Sequence, residues 1–274
     1  MKNELTDLIV DVMTVVMPFK DLVTHILLKP NNDNSGVTGI ADSKDGSISI
    51  GIASKNPVSE LEHGACLGSL PYLNNVLTST NIKASKDLNV ELSYGMTSDK
   101  KTTALRSILI SDKKKLEIFY QATDPFISKL TKRRVVKITD WPIIFEINTS
   151  FIKDYSEAVK IQASAPNMGD RGDIFTLAYA DGDISLLFGE KGHQLTLTPD
   201  VGVELDTDDS KIKQQALFHK AQFQAVCQLL ERIKRNKNGD GDAIAMFNEK
   251  ALRLEFETND AVYTITLLAK KLLT

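Results

Sequence analysis

A chain of 274 residues is long enough for two ordinary domains, each able to bury its own core. With 42% hydrophobic and 25% charged residues, and apolar runs of only a few residues, the composition is that of a soluble globular protein and excludes both a disordered chain and a helical membrane protein. The net charge of −3, divided as +2 through Asp140 and −5 from Trp141 onward, excludes a protein that grips nucleic acid over its whole surface, so any such contact must come from a local basic face.

In chain order, Leu5, Leu8, Ile9, Val12, Met13 and Val16 recur at helical spacing and predict an amphipathic helix that Pro18 ends. Glu4, Asp7 and Asp11 interrupt its apolar residues, which a secretory h-region would not tolerate; no signal peptide is expected, and a cytoplasmic location follows. Residues 21–29 fit a helix or a strand equally well. Residues 37–42 and 47–53 predict a strand pair around Ser43-Lys44-Asp45-Gly46. A second helix is expected over 69–79, with Leu70, Leu73, Val76 and Leu77 on one face and Pro71 in its first turn. Strands follow at 89–94, 103–110 and 115–121, so the first half reads as helix plus strands, twice. The pattern then changes to two prolines and the basic cluster Lys129, Lys132, Arg133, Arg134 and Lys137. This is the expected connector, 126–140, between an N-terminal domain, 1–125, and a C-terminal domain, 141–274.

The second half holds one module twice, over 145–198 and 215–268, each a short strand, a helix and three strands. Phe151 and Tyr155 fall 72 residues before Phe223 and Cys227, so the helix cores superpose. A repeat of that length points to a duplicated supersecondary unit rather than a solenoid. One helix turns Phe151, Tyr155, Ala158 and Val159 inward, the other Phe223, Val226, Cys227, Leu230 and Ile233. Their opposite faces carry Lys153, Glu157 and Lys160, and Lys220, Gln224, Glu231, Arg232 and Arg235. Between the modules, 199–213 carries Asp200, Glu204, Asp206, Asp208 and Asp209 and reads as a solvated loop.

Motifs for chemistry fail one by one. Cys66 and Cys227 have no metal or redox spacing and read as buried thiols. Asn236 to Gly241 opens like a calcium loop, but Phe247 stands where the bidentate Glu is required. Arg171-Gly172-Asp173 reads as a loop. His25, His63, His193 and His219 lie far apart, and there is no GxSxG, phosphate loop or GxGxxG. No cofactor, metal or catalytic residue is expected.

Two strand-helix-three-strand modules per domain, with two domains per chain, resemble the DNA sliding clamp family, the processivity rings of replicative polymerases. The residues that carry the likeness are Trp141-Pro142-Ile143-Ile144-Phe145-Glu146-Ile147, the helix over 149–162, the hairpin over 175–188 and the closing segment 261–270, VYTITLLAKK in its main part. In the first domain Cys66-Leu67-Gly68-Ser69-Leu70-Pro71-Tyr72-Leu73 resembles the passage from strand to second helix. The pattern is most similar to the two-domain clamps of tailed bacteriophages, from which the chain departs in its length, its basic connector and its acidic insertion.

The resemblance implies an α+β sliding-clamp fold and a homotrimeric ring that holds double-stranded DNA topologically. DNA polymerase and a clamp loader would be its partners, and it would have no chemistry of its own. A viral member would work in the host cytoplasm. Lys153, Lys160, Lys220, Arg232 and Arg235 are then the expected phosphate-facing charges. Phe126, Ile127 and Leu130 in the connector, with Leu267, Leu268 and Leu272 near the terminus, are the expected pocket for partner peptides. Two alternatives stand beside this reading. One is a viral assembly or scaffold protein that binds protein only; the other is a small-molecule enzyme whose site assembles around His193 or His219.

Overall fold

The computed structural model describes residues 4–33, 35–79, 88–112, 116–125, 138–164, 172–189, 193–207 and 212–270. The chain divides into two compact units, Met1–Val135 with Thr258–Tyr263, and Val136–Glu257 with Thr264–Thr274.

In the first unit, helix α1 (Glu4–Val16) buries Leu5, Leu8, Ile9, Val12, Met13, Val15 and Val16 and runs into a 3-10 turn over Met17–Phe19. Pro18 fits that turn because a first-turn residue needs no amide donor. Strands β1 (Ile26–Pro30), β2 (Val37–Asp42), β3 (Ile48–Ser54) and β4 (Ala65–Leu67) form an antiparallel sheet in the order β4-β1-β2-β3. The ambiguous stretch 21–29 resolves as a strand because β1 lies inside the sheet with Ile26, Leu27 and Leu28 all buried. A strand enclosed in this way shows an apolar run without alternation.

Helix α2 (Leu70–Thr78) follows, then β5 (Leu88–Met96), β6 (Thr103–Asp112) and β7 (Leu116–Gln121), ordered β5-β6-β7. The entry to α2 is pinned by the Tyr120 hydroxyl, which accepts from the Gly68 amide at 2.9 Å and donates to its carbonyl at 2.7 Å. Only glycine fits at position 68, since a Cβ there would collide with Thr123 Oγ1.

The buried polar groups of this unit include the carboxylate of Asp11. Asp11 is 3% exposed on the buried face of α1, and its Oδ2 accepts from Thr258 Oγ1 at 2.6 Å and from the Tyr263 hydroxyl at 2.7 Å. Burial, and then the Asp11 charge, push the Tyr263 phenol well above its ordinary pKa, so it stays a donor.

The second unit contains β8 (Ile143–Ile147), α3 (Thr149–Ala163), β9 (Ile174–Ala180), β10 (Asp183–Phe188), β11 (Leu195–Leu197) and β12 (Val203–Leu205). It continues with β13 (Gln214–His219), α4 (Lys220–Arg235), β14 (Ala243–Phe247), β15 (Ala251–Glu257) and β16 (Ala261–Leu268). Its strand orders are β12-β8-β14-β15-β16 and β11-β10-β9-β13. The two modules therefore exchange their first strands: β8 of the first pairs with β14 of the second, and β13 of the second pairs with β9 of the first. In the first unit β4, which opens the second module, likewise joins β1 of the first. Among the described residues that first module begins directly on α1.

The acidic insertion over 199–213 is more than the solvated loop its charge suggested. Val203, Glu204 and Leu205 form β12 on the edge of β8, with Val203 opposite Phe145 and Leu205 opposite Ile143. The two apolar residues flank an exposed Glu204 in the alternation of a half-buried strand, a signal the surrounding aspartates mask.

The core between α3, α4 and the sheets is aromatic. Phe223 lies 4.7 Å from Tyr155, 5.3 Å from Phe175 and 6.2 Å from Phe151, ring centre to ring centre. Cys227 is buried beside this cluster, and desolvation, then the Glu231 charge, raise its thiol pKa. Cys66 is also fully buried. Neither thiol is expected to be alkylated by iodoacetamide in the native protein at mildly alkaline pH, while both react in urea; intact mass measurement reads the difference.

Candidate nucleic-acid interface

Helix α3 starts at Asn148, whose Oδ1 accepts from the amides of Ser150 at 3.0 Å and Phe151 at 3.1 Å, the side-chain cap that fixes its first turn. That turn meets the last turn of α4, where Lys234 Nζ donates to Thr149 Oγ1 at 2.7 Å. The Tyr155 hydroxyl donates to the carbonyl of Lys220 at 3.1 Å and ties the body of α3 to the start of α4. The helices thus lie side by side with opposed ends together. Phe151, Ile152, Tyr155, Ala158 and Gln162 are buried on one, and Phe223, Val226, Cys227, Leu229, Leu230 and Ile233 on the other.

The opposite faces carry the expected cations. Lys153, Lys160 and Arg235 are exposed, while Lys220 and Arg232 are half-buried. Burial, and then the neighbouring Arg235 charge, pull the Arg232 pKa below its ordinary value. Lys234, absent from the sequence-based set, is also exposed in the last turn of α4, with Asp242 Oδ1 3.9 Å from its Nζ. The signal for it was present: three of the last four residues of α4 are basic. On the helix Lys234 lies at the margin of the buried face, one turn after Leu230, and not on the side that carries Arg232 and Arg235.

In the first unit the helix surfaces differ. Glu4 and Asp7 are exposed on α1, and α2 presents Pro71, Tyr72, Asn75 and Thr78 with no charged residue in its length.

Of the residues expected to form a peptide pocket, Leu267 is fully buried in β16 and is a core residue, and Leu268 is half-buried. Phe126, Ile127, Leu130 and Leu272 lie outside the described residues. Directly after Leu268 the chain forms one wall of a concavity of about 290 Å³, lined by Thr176, Gln215, Leu217, Glu249, Ala269 and Lys270. The Lys270 amide donates to the carbonyl of Leu217 at 2.8 Å and holds that wall against β13.

His219 stands at the N-cap of α4 with no side-chain capping bond, and His193 is exposed. Phe247, at the position that disqualified the calcium loop, is a fully buried residue of β14. Among the described residues no three His, Cys, Asp or Glu side chains gather as a metal site, and no helix is long and apolar enough to cross a membrane.

Two units of paired helix-and-strand modules, all but the first opening on a strand among the described residues, make this the α+β sliding-clamp fold. No family model and no curated protein matches the sequence. Among solved structures the chain is similar to PCNA from Thermococcus kodakaraensis, with a TM-score of 0.63 at 11% identity over 95% of this chain and 96% of that one. It is similar to the PCNA2–PCNA3 complex from Sulfolobus tokodaii, with a TM-score of 0.59 at 11% identity over 96% of each chain. It is also similar to proliferating cellular nuclear antigen from Entamoeba histolytica, with a TM-score of 0.55 at 14% identity over 96% of each chain.

Proposed function

We propose that this protein is a sliding clamp that closes as a homotrimeric ring around duplex DNA and tethers a replicative polymerase. The observation that carries this reading is the clamp fold running through nearly the whole chain, and the exposed cations of α3 and α4 support it. A ring holds DNA by topology, so an overall charge of −3 is compatible with a modest basic lining. Contacts to phosphates alone are independent of sequence and sensitive to salt, which permits sliding. Lys153, Lys160, Lys220, Arg232 and Arg235 are assigned to those contacts.

Clamp domains at 1–125 and 141–274 with a connector at 126–140 fit this scheme. The concavity beside Ala269 and Lys270, with Leu268 next to it, is the proposed seat for a partner's peptide tail. Polymerase and clamp loader are the proposed users, the loader supplying the ATP-driven opening that the ring does not perform. The tailed-phage kinship of the sequence pattern belongs to the same proposal.

Ring closure needs two different edges on each copy. Strand β7 lies at the edge of its three-stranded sheet and exposes Phe119 by 60%; β11 lies at the edge of its four-stranded sheet. Antiparallel addition of one to the other is the proposed joint. Light scattering of the purified protein is expected to give a mass near three times 30.3 kDa. Phe119→Glu is expected to shift it to the monomer while leaving the circular dichroism unchanged. A wild-type chain that stays monomeric at every concentration and does not extend polymerase products would sink the reading.

A further inference from the structure

Among the described residues the sheet edges are short or already engaged, with one exception. Strands β11 and β12 have three residues each. Strand β4 also has three, and its Cys66 carbonyl accepts from the Thr123 amide at 2.8 Å. On β13 the Leu217 carbonyl is taken by the Lys270 amide, and β7 is the edge proposed for ring closure. Strand β5, nine residues long, is the exception: it pairs with β6 alone.

The duplication shows what such an edge accepts. Strand β14 follows α4 as β5 follows α2, and it is paired on both sides, by β15 and by β8. Its core-side residues Ala243, Ala245 and Phe247 are all buried. On β5 the core-side residues are Val90 and Leu92, which stand opposite the buried Ile110 and Ile108 of β6. Both are only half-buried.

Natural edges are protected by short length, Lys, Pro or a bulge. Between Leu88 and Ser93, β5 carries no Lys or Pro and keeps a regular register, its bulge falling at the end of that stretch, between Ser93 and Tyr94. Its single charge is Glu91, exposed on the outer face, where Oε1 accepts from Asn89 Nδ2 at 2.7 Å. Along an edge strand of this kind alternate residues turn both N–H and C=O outward, ready for another strand.

We infer that β5 is a docking edge onto which an extended segment of a partner protein adds as an antiparallel strand. Apolar residues at every second position of that segment pack on Val90 and Leu92, and a Lys or Arg between them faces Glu91. The template for this occupant is β8, antiparallel to β14, with Ile143, Phe145 and Ile147 buried and the residues between them not. The inference rests on strand order, burial and charge, and holds whether or not the chain encircles DNA.

The probe is a fluorescein-labelled peptide of the sequence Trp141–Asn148 carrying Ile144→Lys and Glu146→Lys, titrated with the full-length protein and followed by anisotropy. Saturable binding is expected, and a peptide of the same composition with its apolar residues made contiguous is expected to bind at least about tenfold more weakly. Glu91→Lys changes one exposed side chain and is expected to weaken binding about fivefold. The same variant is expected to regain affinity for a peptide with Glu at both outer positions, which a merely misfolded variant would not do. In hydrogen exchange the peptide is expected to slow the amides over 88–93. Full protection of that stretch in the free protein would show that another segment of this chain or a second copy holds the edge, and overturns the inference. So does a wild-type protein with no saturable binding, or a Glu91→Lys variant that binds both peptides as wild type does. The mass and polymerase measurements judge the clamp reading separately.

Discussion

Asp11→Ala is expected to lower the unfolding free energy by about 3–5 kcal/mol, the range for removing one member of a buried, charge-assisted network. The variant leaves the Tyr263 hydroxyl and Thr258 Oγ1 buried without the carboxylate that accepts from both at 2.7 and 2.6 Å. Thr258 has a second acceptor in the carbonyl of Ala261 at 3.2 Å. Both hydroxyls donate to the one atom Oδ2, so Asp11→Asn can accept from both through its amide oxygen without the charge, and is expected to lose roughly half as much. Urea denaturation of the two variants against wild type gives the comparison. A cost for Asp11→Ala below about 1 kcal/mol would show that the network contributes no more than an average surface contact.

Phe223→Ala is expected to cost about 3–5 kcal/mol, because it removes a ring that touches both helices and a sheet and leaves a cavity that the surrounding rings cannot refill. Tyr155, Phe175 and Phe151 all pack on it. Phe223→Leu keeps most of the volume and is expected to cost less than about 1.5 kcal/mol. The thermal midpoint follows the same order. Equal midpoints for the two variants would mean that the aromatic cluster relaxes freely and does not fix how α3 and α4 lie together.

The second-half modules were legible because every signal for them is local. Helical spacing set Phe151 and Tyr155 against Phe223 and Cys227, and turn residues such as Asp181-Gly182 separated the strands; Asp181 and Gly182 both adopt positive φ there. Pairing between strands is not local. Nothing in the composition of β8 or β13 says that each leaves its own module for the other's sheet, since that choice is made by burial across some 100 residues, from Ile147 to Ala243.

The residues 21–29 stayed ambiguous for a related reason: an enclosed strand loses the alternation that identifies it. Asp11 was legible only as a charge that forbids a signal peptide. Its acceptor role depends on Thr258 and Tyr263, which lie 247 and 252 residues away. At the interface, the charged faces of α3 and α4 were readable from spacing, whereas the half-burial of Arg232 and the bond from Lys234 to Thr149 depend on the packing of two helices against each other.

The bond between Asp11 and Thr258 also sets an order of events during synthesis. Helix α1 leaves the ribosome well before Thr258–Tyr263, which belong to the same compact unit. At about 5–20 residues per second the 247 residues between them take roughly 12–50 s to translate. Through that interval a nascent first unit lacks its final segment, and the carboxylate of Asp11 has neither of its hydroxyl donors. Chaperone engagement with the emerging chain is therefore expected to persist until Thr258–Tyr263 have emerged, and the first unit matures together with the second instead of ahead of it.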